Sequence, residues 1–246
     1  MQYEDCEVLS GINFQVENGE FLSILGPSGC GKTTILRILI GLLKPTKGKI
    51  LMEDRDITNL PSSQRNMGIV FQNYALFENM TVRKNVEYAL RTQKENKSRE
   101  ARERITREAT EIMKNLGILP FENMYPSNLS GGQQQRTASA RTLIMKPDMI
   151  LFDEPMSALD AATRLQLRQE LKRIQREFGI TMIYITHDQE EAFAMSDRIM
   201  VMERGRIAQI DTPENILQHP ADAYVEDFVL NNLRMKMNSI RKYVDM

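Results

Sequence analysis

Short apolar runs alternate with polar and glycine-bearing turns along the chain, and their periods predict its elements. Residues 8–16 alternate, with Ile12, Phe14 and Val16 on one side, and read as a strand. An Asn18-Gly19 turn leads into a second strand, Phe21-Leu22-Ser23-Ile24-Leu25. Ile35, Leu36, Ile38, Leu39, Leu42 and Leu43 recur at helical spacing within 34–43, stopped by Pro45 and Gly48. Residues 48–52 read as a short strand, 54–61 as a polar connection and 67–71 as a compact apolar strand ending at Gln72. Beyond it the texture changes. A loop to Thr81 carries Tyr74, Leu76, Phe77 and Met80, and 82–90 reads helical. Residues 92–104 are nearly all charged or polar, of both signs, and are predicted to be a solvated linker and helix face. Ile105, Ala109, Ile112, Met113 and Leu116 return at helical spacing, closed by Gly117.

The continuous run Met149-Ile150-Leu151-Phe152 is of the kind buried on both faces of a sheet. A helix follows with Leu167, Leu171, Ile174 and Phe178 on one stripe and Gly179 as terminator, then a buried strand over 180–186. Residues 198–202 and 206–210 read as a hairpin around Gly205, Thr212-Pro213-Glu214 as a helix start, and 222–244 as a helical tail. This order predicts an α/β core in two pieces, 1–72 and 146–221. A helical lobe, 73–145, is inserted between them, and a helical C-terminal tail covers 222–246.

Composition narrows the class. At 246 residues, 41% hydrophobic and 26% charged, the chain suits an ordinary soluble protein. A net charge of -1 offers no electrostatic case for nucleic acid or an anionic membrane. Two cysteines, Cys6 and Cys30, build neither a disulfide framework nor a zinc cluster, which suits a reducing compartment. No secretory signal is expected from the N-terminus, and no apolar run approaches the roughly 20 residues that cross a bilayer. Any membrane role is therefore expected to run through a partner.

Chemistry enters at Gly26-Pro27-Ser28-Gly29-Cys30-Gly31-Lys32-Thr33-Thr34, which fits G-x-x-x-x-G-K-[ST], the phosphate-binding loop of nucleoside triphosphatases. Glycines let backbone N–H groups close on phosphate, and the following helix directs its positive dipole end there. Lys32 would reach the β- and γ-phosphates of ATP and the Thr33 hydroxyl would hold Mg²⁺. A chance match in a chain of this length is roughly one in a hundred, and a strand before and a helix after lower it. Asp153-Glu154 follows four apolar residues: Asp153 would hold Mg²⁺, directly or through water, and Glu154 is a candidate general base for water.

Leu129-Ser130-Gly131-Gly132-Gln133 resembles the signature of the ATP-binding cassette (ABC) family, and the resemblance spans nearly the whole chain in the family's order. It implies a P-loop NTPase (RecA-like) α/β core with an antiparallel β subdomain and an inserted α-helical subdomain. Gln72 resembles the Q-loop residue, which contacts Mg²⁺ and water. Ser157-Ala158-Leu159-Asp160 resembles the D-loop, Thr186-His187-Asp188 the switch histidine, and Tyr3 the aromatic that stacks on adenine. In the family Ser130, Gly131, Gly132 and Gln133 face the ATP of an opposite protomer, with Asp160 at the seam. A single phosphate loop and a single signature thus imply pairing with a second copy or a related ABC ATPase. Ser130 and its glycines read as a second anion nest.

Residues 66–77, Met80-Thr81-Val82, 130–136 and 187–192 look like importer ATPases for polyamines, iron(III), sugars, phosphonates and quaternary amines. That likeness implies an enzyme at the cytoplasmic face of the membrane, driving a permease supplied by an extracytoplasmic binding protein. In it the loop around Tyr74, Leu76 and Phe77 receives the permease; packing of these residues into the helical lobe is the other reading. A soluble ABC ATPase acting on ribosomes or DNA, and an exporter or lipoprotein-extraction ATPase, are the alternatives. Family members carry more chain before the adenine-stacking aromatic, and many end in a regulatory β-domain; with only a short helical tail after residue 222, regulation by that route is not expected. Met156 stands where leucine is usual, a volume-conserving change expected to be silent.

Overall fold

A computed structural model describes the backbone of residues 2–3, 6–157 and 159–244, and the side chains of 8–93, 95–157 and 159–238. Two units form: Met1–Arg65 with Thr181–Met246, and Asn66–Ile180. The first begins with an antiparallel pair, β1 (Gln2–Tyr3) and β2 (Cys6–Glu7). Residues 8–20 hold no strand, although Ile12, Phe14 and Val16 are half-buried and Asn13, Gln15 and Glu17 exposed. The segment alternates as a strand does, but no strand among the described residues pairs with it, and a lone extended segment makes no ladder.

β3 (Phe21–Leu25) is buried at all five positions, and α1 (Lys32–Leu39) follows. β4 (Leu51–Met52) and β5 (Arg55–Asp56) form a hairpin whose turn residues Glu53 and Asp54 have φ of 47° and 64°. That pair of left-handed residues is the geometry a two-residue turn needs.

In the second unit β6 (Met67–Val70) is followed by α2 (Val82–Thr92), α3 (Arg99–Asn115) and α4 (Gly131–Leu143). Then come β7 (Met149–Asp153), parallel to β6, and α5 (Ala161–Phe178), which ends at Gly179 with φ 59°. α3 starts inside the charged stretch expected as linker, capped by Ser98. Its Ile105, Ala109 and Met113 are buried on one stripe, so the charges clothe the other faces.

The first unit resumes with β8 (Thr181–Thr186), α6 (Gln189–Met195), β9 (Arg198–Glu203), β10 (Arg206–Asp211) and α7 (Pro213–Gln218). It closes with α8 (Ala223–Val225), a π-helical turn over Glu226–Asn231 and α9 (Asn232–Val244). Its strands lie in the order β10-β9-β3-β8, with β3 parallel to both β8 and β9 and the last hairpin antiparallel. Leu25, Ala192, Ile199, Val201, Ile216, Val225 and Val229 form one buried cluster, so the tail contributes to the core. Among the described residues no helix is long and apolar enough to cross a membrane.

One buried cation locks α1 in place. Arg65 is 2% exposed, and its guanidinium donates to the carbonyls of Ile38 and Leu39 at 2.7 Å each and of Thr58 and Leu60 at 2.9 Å each. It thereby satisfies the last turn of α1 and places positive charge at the negative end of the helix dipole. Gly41 has φ 84°, and a Cβ there would meet Arg65 Nε at 2.7 Å, so only glycine leaves room for the guanidinium. Arg65→Met is expected to lower unfolding free energy by about 3 kcal/mol by stranding these carbonyls, measured by urea denaturation; an unchanged midpoint refutes the assignment.

Candidate active site

In the first unit Leu25 stands opposite Thr186 in a parallel ladder, so Gly26 and His187 are the first residues past paired strand ends. The loop from Gly26 turns back at Gly31, whose φ of 104° is left-handed and where a Cβ would meet Leu9 Cδ2 at 2.5 Å. Gly26 is needed for a different reason: a Cβ there would meet Cys30 Sγ at 2.7 Å and the Met202 carbonyl at 2.8 Å. Pro27, Ser28 and Gly29 are exposed, Thr33 and Thr34 half-buried. Lys32 is buried, and its Nζ donates to the carbonyls of Gly26 at 2.7 Å and Pro27 at 2.9 Å. The ammonium thus straddles the loop. Burial pushes the Cys30 thiol up from its ordinary pKa, against the pull of Lys32.

α1 opens from Gly31 with no side-chain cap. By contrast α2 to α8 each have a Ser, Thr or Asp side chain accepting a first-turn N–H. A helix start without a side-chain cap is the kind that can accept an anion.

His187 is exposed, in a turn held by its neighbours. Asp188 N–H donates to Thr186 Oγ1 at 3.0 Å, and Asp188 caps α6. The buried Glu191 carboxylate accepts from both the Tyr184 and Thr186 hydroxyls, each at 2.8 Å. Lys236 of α9 reaches Asp188 at 3.5 Å and Glu190 at 3.3 Å.

The second unit repeats the logic. Val70 stands opposite Phe152, so Gln72, Asp153 and Glu154 leave the same end of a parallel pair. Gln72 is exposed; its Nε2 donates to Ser157 Oγ at 3.0 Å, and that hydroxyl donates to the Glu154 carbonyl at 3.0 Å. Asp153 and Glu154 are half-buried. Glu154 has φ 46°, a left-handed conformation costing about 1 kcal/mol for a residue with a Cβ. Strain of this kind concentrates where a side chain must be aimed.

Tyr74 corrects the expectation that it lies open to a partner. With φ 60° its side chain turns inward, is 5% exposed, and its hydroxyl donates to the Pro155 carbonyl at 3.2 Å. Burial raises its pKa. Leu76 is half-buried and Phe77 is exposed, its ring 4.6 Å from that of Tyr88.

Ser130 caps α4 in a capping box: its Oγ accepts from Gln133 N–H at 3.4 Å, and Gln133 Oε1 accepts from Ser130 N–H at 2.9 Å. Gly131 and Gly132 are the first helical residues and neither has positive φ, so they form no left-handed nest. They mark close contacts instead. A Cβ on Gly131 would meet Leu159 Cδ2 at 2.7 Å, and one on Gly132 would meet Thr163 Cγ2 at 2.9 Å. The signature is thereby seated against the start of α5, which Asp160 caps through Thr163 N–H at 3.0 Å and Thr163 Oγ1 at 2.6 Å. Those bonds hold the exposed Asp160 carboxyl below its ordinary pKa. Ala158 and the side chain of Tyr3 lie outside the described residues.

Arg65, Glu191, Arg141 and Asn85 shape these loops and were not singled out from the sequence. Only Arg141 carried a signal, a charge after the small residues Thr137-Ala138-Ser139-Ala140, and its carbonyl partners lie 66 and 67 residues away, too far for spacing to reveal.

The family described as ABC transporter matches residues 9–157. The chain is 48% identical over 227 residues to "Spermidine/putrescine import ATP-binding protein PotA" of Oleidesulfovibrio alaskensis, covering 92% of this chain and 60% of that protein. It is 50% identical over 218 residues to "Fe(3+) ions import ATP-binding protein FbpC 2" of Rhizobium meliloti, covering 89% and 54%. The chain thus spans about three fifths of the length of the curated relatives it matches. Its fold is similar to cbiO1 from Clostridium perfringens, described as part of the ABC transporter complex cbiONQ, at TM-score 0.80 and 28% identity over 100% of this chain and 96% of that one. It is also similar to the ATP-binding cassette MJ0796, solved as a dimer in a post-hydrolysis state with ADP and Pi, at TM-score 0.72 and 35% identity over 84% and 90%.

Gly132→Ala is expected to destabilise the second unit by about 1 kcal/mol, overpacking against Thr163 outweighing the helix propensity gained. Thr163→Ser removes the clashing methyl and keeps the bond to Asp160, so the double variant should recover the wild-type melting temperature. Two strictly additive losses would contradict this packing.

Proposed function

The chain belongs to the ABC transporter family, and on that premise we propose that it is an ATP-binding and ATP-hydrolysing subunit of an importer. The observation that carries the reading is the loop Gly26–Lys32. A buried lysine straddles its first carbonyls, and the helix beneath it starts without a side-chain cap. A neutral or apolar ligand has no use for that arrangement; a polyphosphate has.

In this reading Lys32 exchanges its carbonyl partners for the β- and γ-phosphates, and the N–H groups of residues 28–34 take the remaining oxygens. Thr33 hydroxyl, Asp153 carboxylate and Gln72 are the Mg²⁺ ligands. The donor set fits: all are hard oxygens, and with Nε2 of Gln72 given to Ser157, its Oε1 is the atom left to accept a cation. When bound, the ion neutralises charge on the phosphates. Glu154 takes a proton from the attacking water, and its left-handed backbone, tied to Ser157, is what aims the carboxylate. His187 contacts the γ-phosphate, its turn stiffened by Thr186 and Glu191. Tyr3 stacks on adenine.

Ser130, Gly131, Gly132, Gln133 and Asp160 serve the ATP of a second copy or a related chain. The capping box and the tight seat on α5 support this by holding α4's first turn as a rigid, exposed surface. The dimeric state of MJ0796 supports it too. The working division of the chain is a nucleotide-binding core, 1–72 and 146–221, a helical subdomain, 73–145, and the tail. In the same reading the exposed Phe77 with half-buried Leu76 would meet a permease, and the subunit would work peripherally at the cytoplasmic face of a membrane. The import names of the curated relatives support that direction of transport.

Glu154→Gln should reduce phosphate release by about a thousandfold while ATP binding persists and dimer accumulates in light scattering; normal turnover would remove Glu154 as base. Ser130→Arg should bind ATP as a monomer and fail to pair, and ATP-driven pairing in that variant would remove the trans role.

A further inference from the structure

We propose that Arg141 is a positioning residue for the Gln72 loop and, through that loop, for Glu154. The inference rests on the assignment of Gln72 and Glu154 to ATP hydrolysis and adds a residue from a different element.

Tyr74 and Ala75 are consecutive residues with side chains, and both are left-handed, with φ of 60° and 46°. Only glycine adopts that conformation readily, so a neighbouring group must hold the pair there. The turn's own N–H groups bond back to Phe71 and Asn73, and its two carbonyls are held by one guanidinium. Arg141, from α4, donates Nη2–H to the Tyr74 carbonyl at 3.0 Å and Nη1–H to the Ala75 carbonyl at 2.6 Å. Two successive left-handed peptides direct their carbonyls to one side, and a planar fork of donors matches that geometry where a point charge does not. The Arg141 guanidinium carbon also lies 5.6 Å from the centre of the Phe77 ring. The far end of the loop is held as well: Asn85, fully buried, accepts from Phe77 N–H at 2.9 Å and donates to the Phe77 carbonyl at 3.1 Å.

With 74 and 75 held left-handed, the Tyr74 side chain turns inward to bond Pro155, the residue after strained Glu154. Gln72 reaches the preceding carbonyl, that of Glu154, through Ser157. Two successive carbonyls, of Glu154 and Pro155, are thus gripped by the loop that Arg141 clasps. Arg141 sits on the helix that Ser130 caps, so the signature helix and the Gln72 loop are fastened by one side chain.

The test uses the full chain with Arg141→Gln, Arg141→Lys and Ala75→Gly, singly and with Ala75→Gly in each Arg141 background. Amide exchange at 73–77 is read without nucleotide, and ATP hydrolysis is read as kcat and KM. Arg141→Gln should speed exchange of those amides about tenfold and lower kcat on the order of 10- to 100-fold with KM little changed. Arg141→Lys should behave like Arg141→Gln, because it cannot fork to two carbonyls. Ala75→Gly should restore kcat of either variant by about fivefold, since glycine holds the left-handed turn unaided. Wild-type exchange and kcat in Arg141→Gln overturn the proposal, as does full activity in Arg141→Lys. So does equal loss of kcat and melting temperature in both variants with no response to Ala75→Gly. If Glu154→Gln hydrolyses ATP normally, the catalytic reading fails; the exchange data and the glycine response still decide whether Arg141 holds the loop.

Discussion

Leu25 opposite Thr186, and Val70 opposite Phe152, are the pairings from which the candidate site follows. Parallel strands cannot be joined by tight hairpins, so each carboxyl end opens into a longer connection, and connections from neighbouring strands emerge together. The phosphate loop and His187 share one such end; Gln72 and Asp153-Glu154 share the other. Slipping either ladder by two residues would carry the chemical groups some 6–7 Å apart along the strand. Buried apolar residues on both faces of β3 and β8 make such a slip costly.

Loops that carry chemistry have few apolar contacts of their own, and here buried or half-buried polar side chains supply the rigidity. Arg65 ties the end of α1 to the segment after β5, Arg141 holds two left-handed carbonyls, and Asn85 holds Phe77. Glu191 gathers two hydroxyls under the His187 turn. Each satisfies several backbone or hydroxyl groups at once, and in a desolvated setting its removal strands all of them. The signature glycines act through shape rather than conformational freedom, letting α4 approach Leu159 and Thr163.

Much of this was legible in the residues alone. Apolar runs placed β3, β7, β8 and the hairpin of β9 and β10 within a residue or so, because burial on both faces leaves a continuous apolar string. Misses occurred where a pattern lacked its partner. Residues 8–16 alternate as a strand does yet make no ladder; the charged run, by contrast, does hold both a linker and the charged face of α3. The short α6, which follows His187, was not anticipated: seven residues are too few to establish a helical period.

The sequence by itself determined the phosphate loop, the order of motifs and the class of fold. These rest on local facts: a glycine where the backbone must turn back, a lysine one residue on, periods of two and 3.6. Tertiary structure alone decided that Tyr74 faces inward, that Gly131 and Gly132 are contact points, and that Arg141 reaches a loop 66 residues away. The reason is physical. Which donor meets which carbonyl depends on how helices and strands pack in three dimensions, and a side chain's own neighbourhood in the sequence carries no record of it.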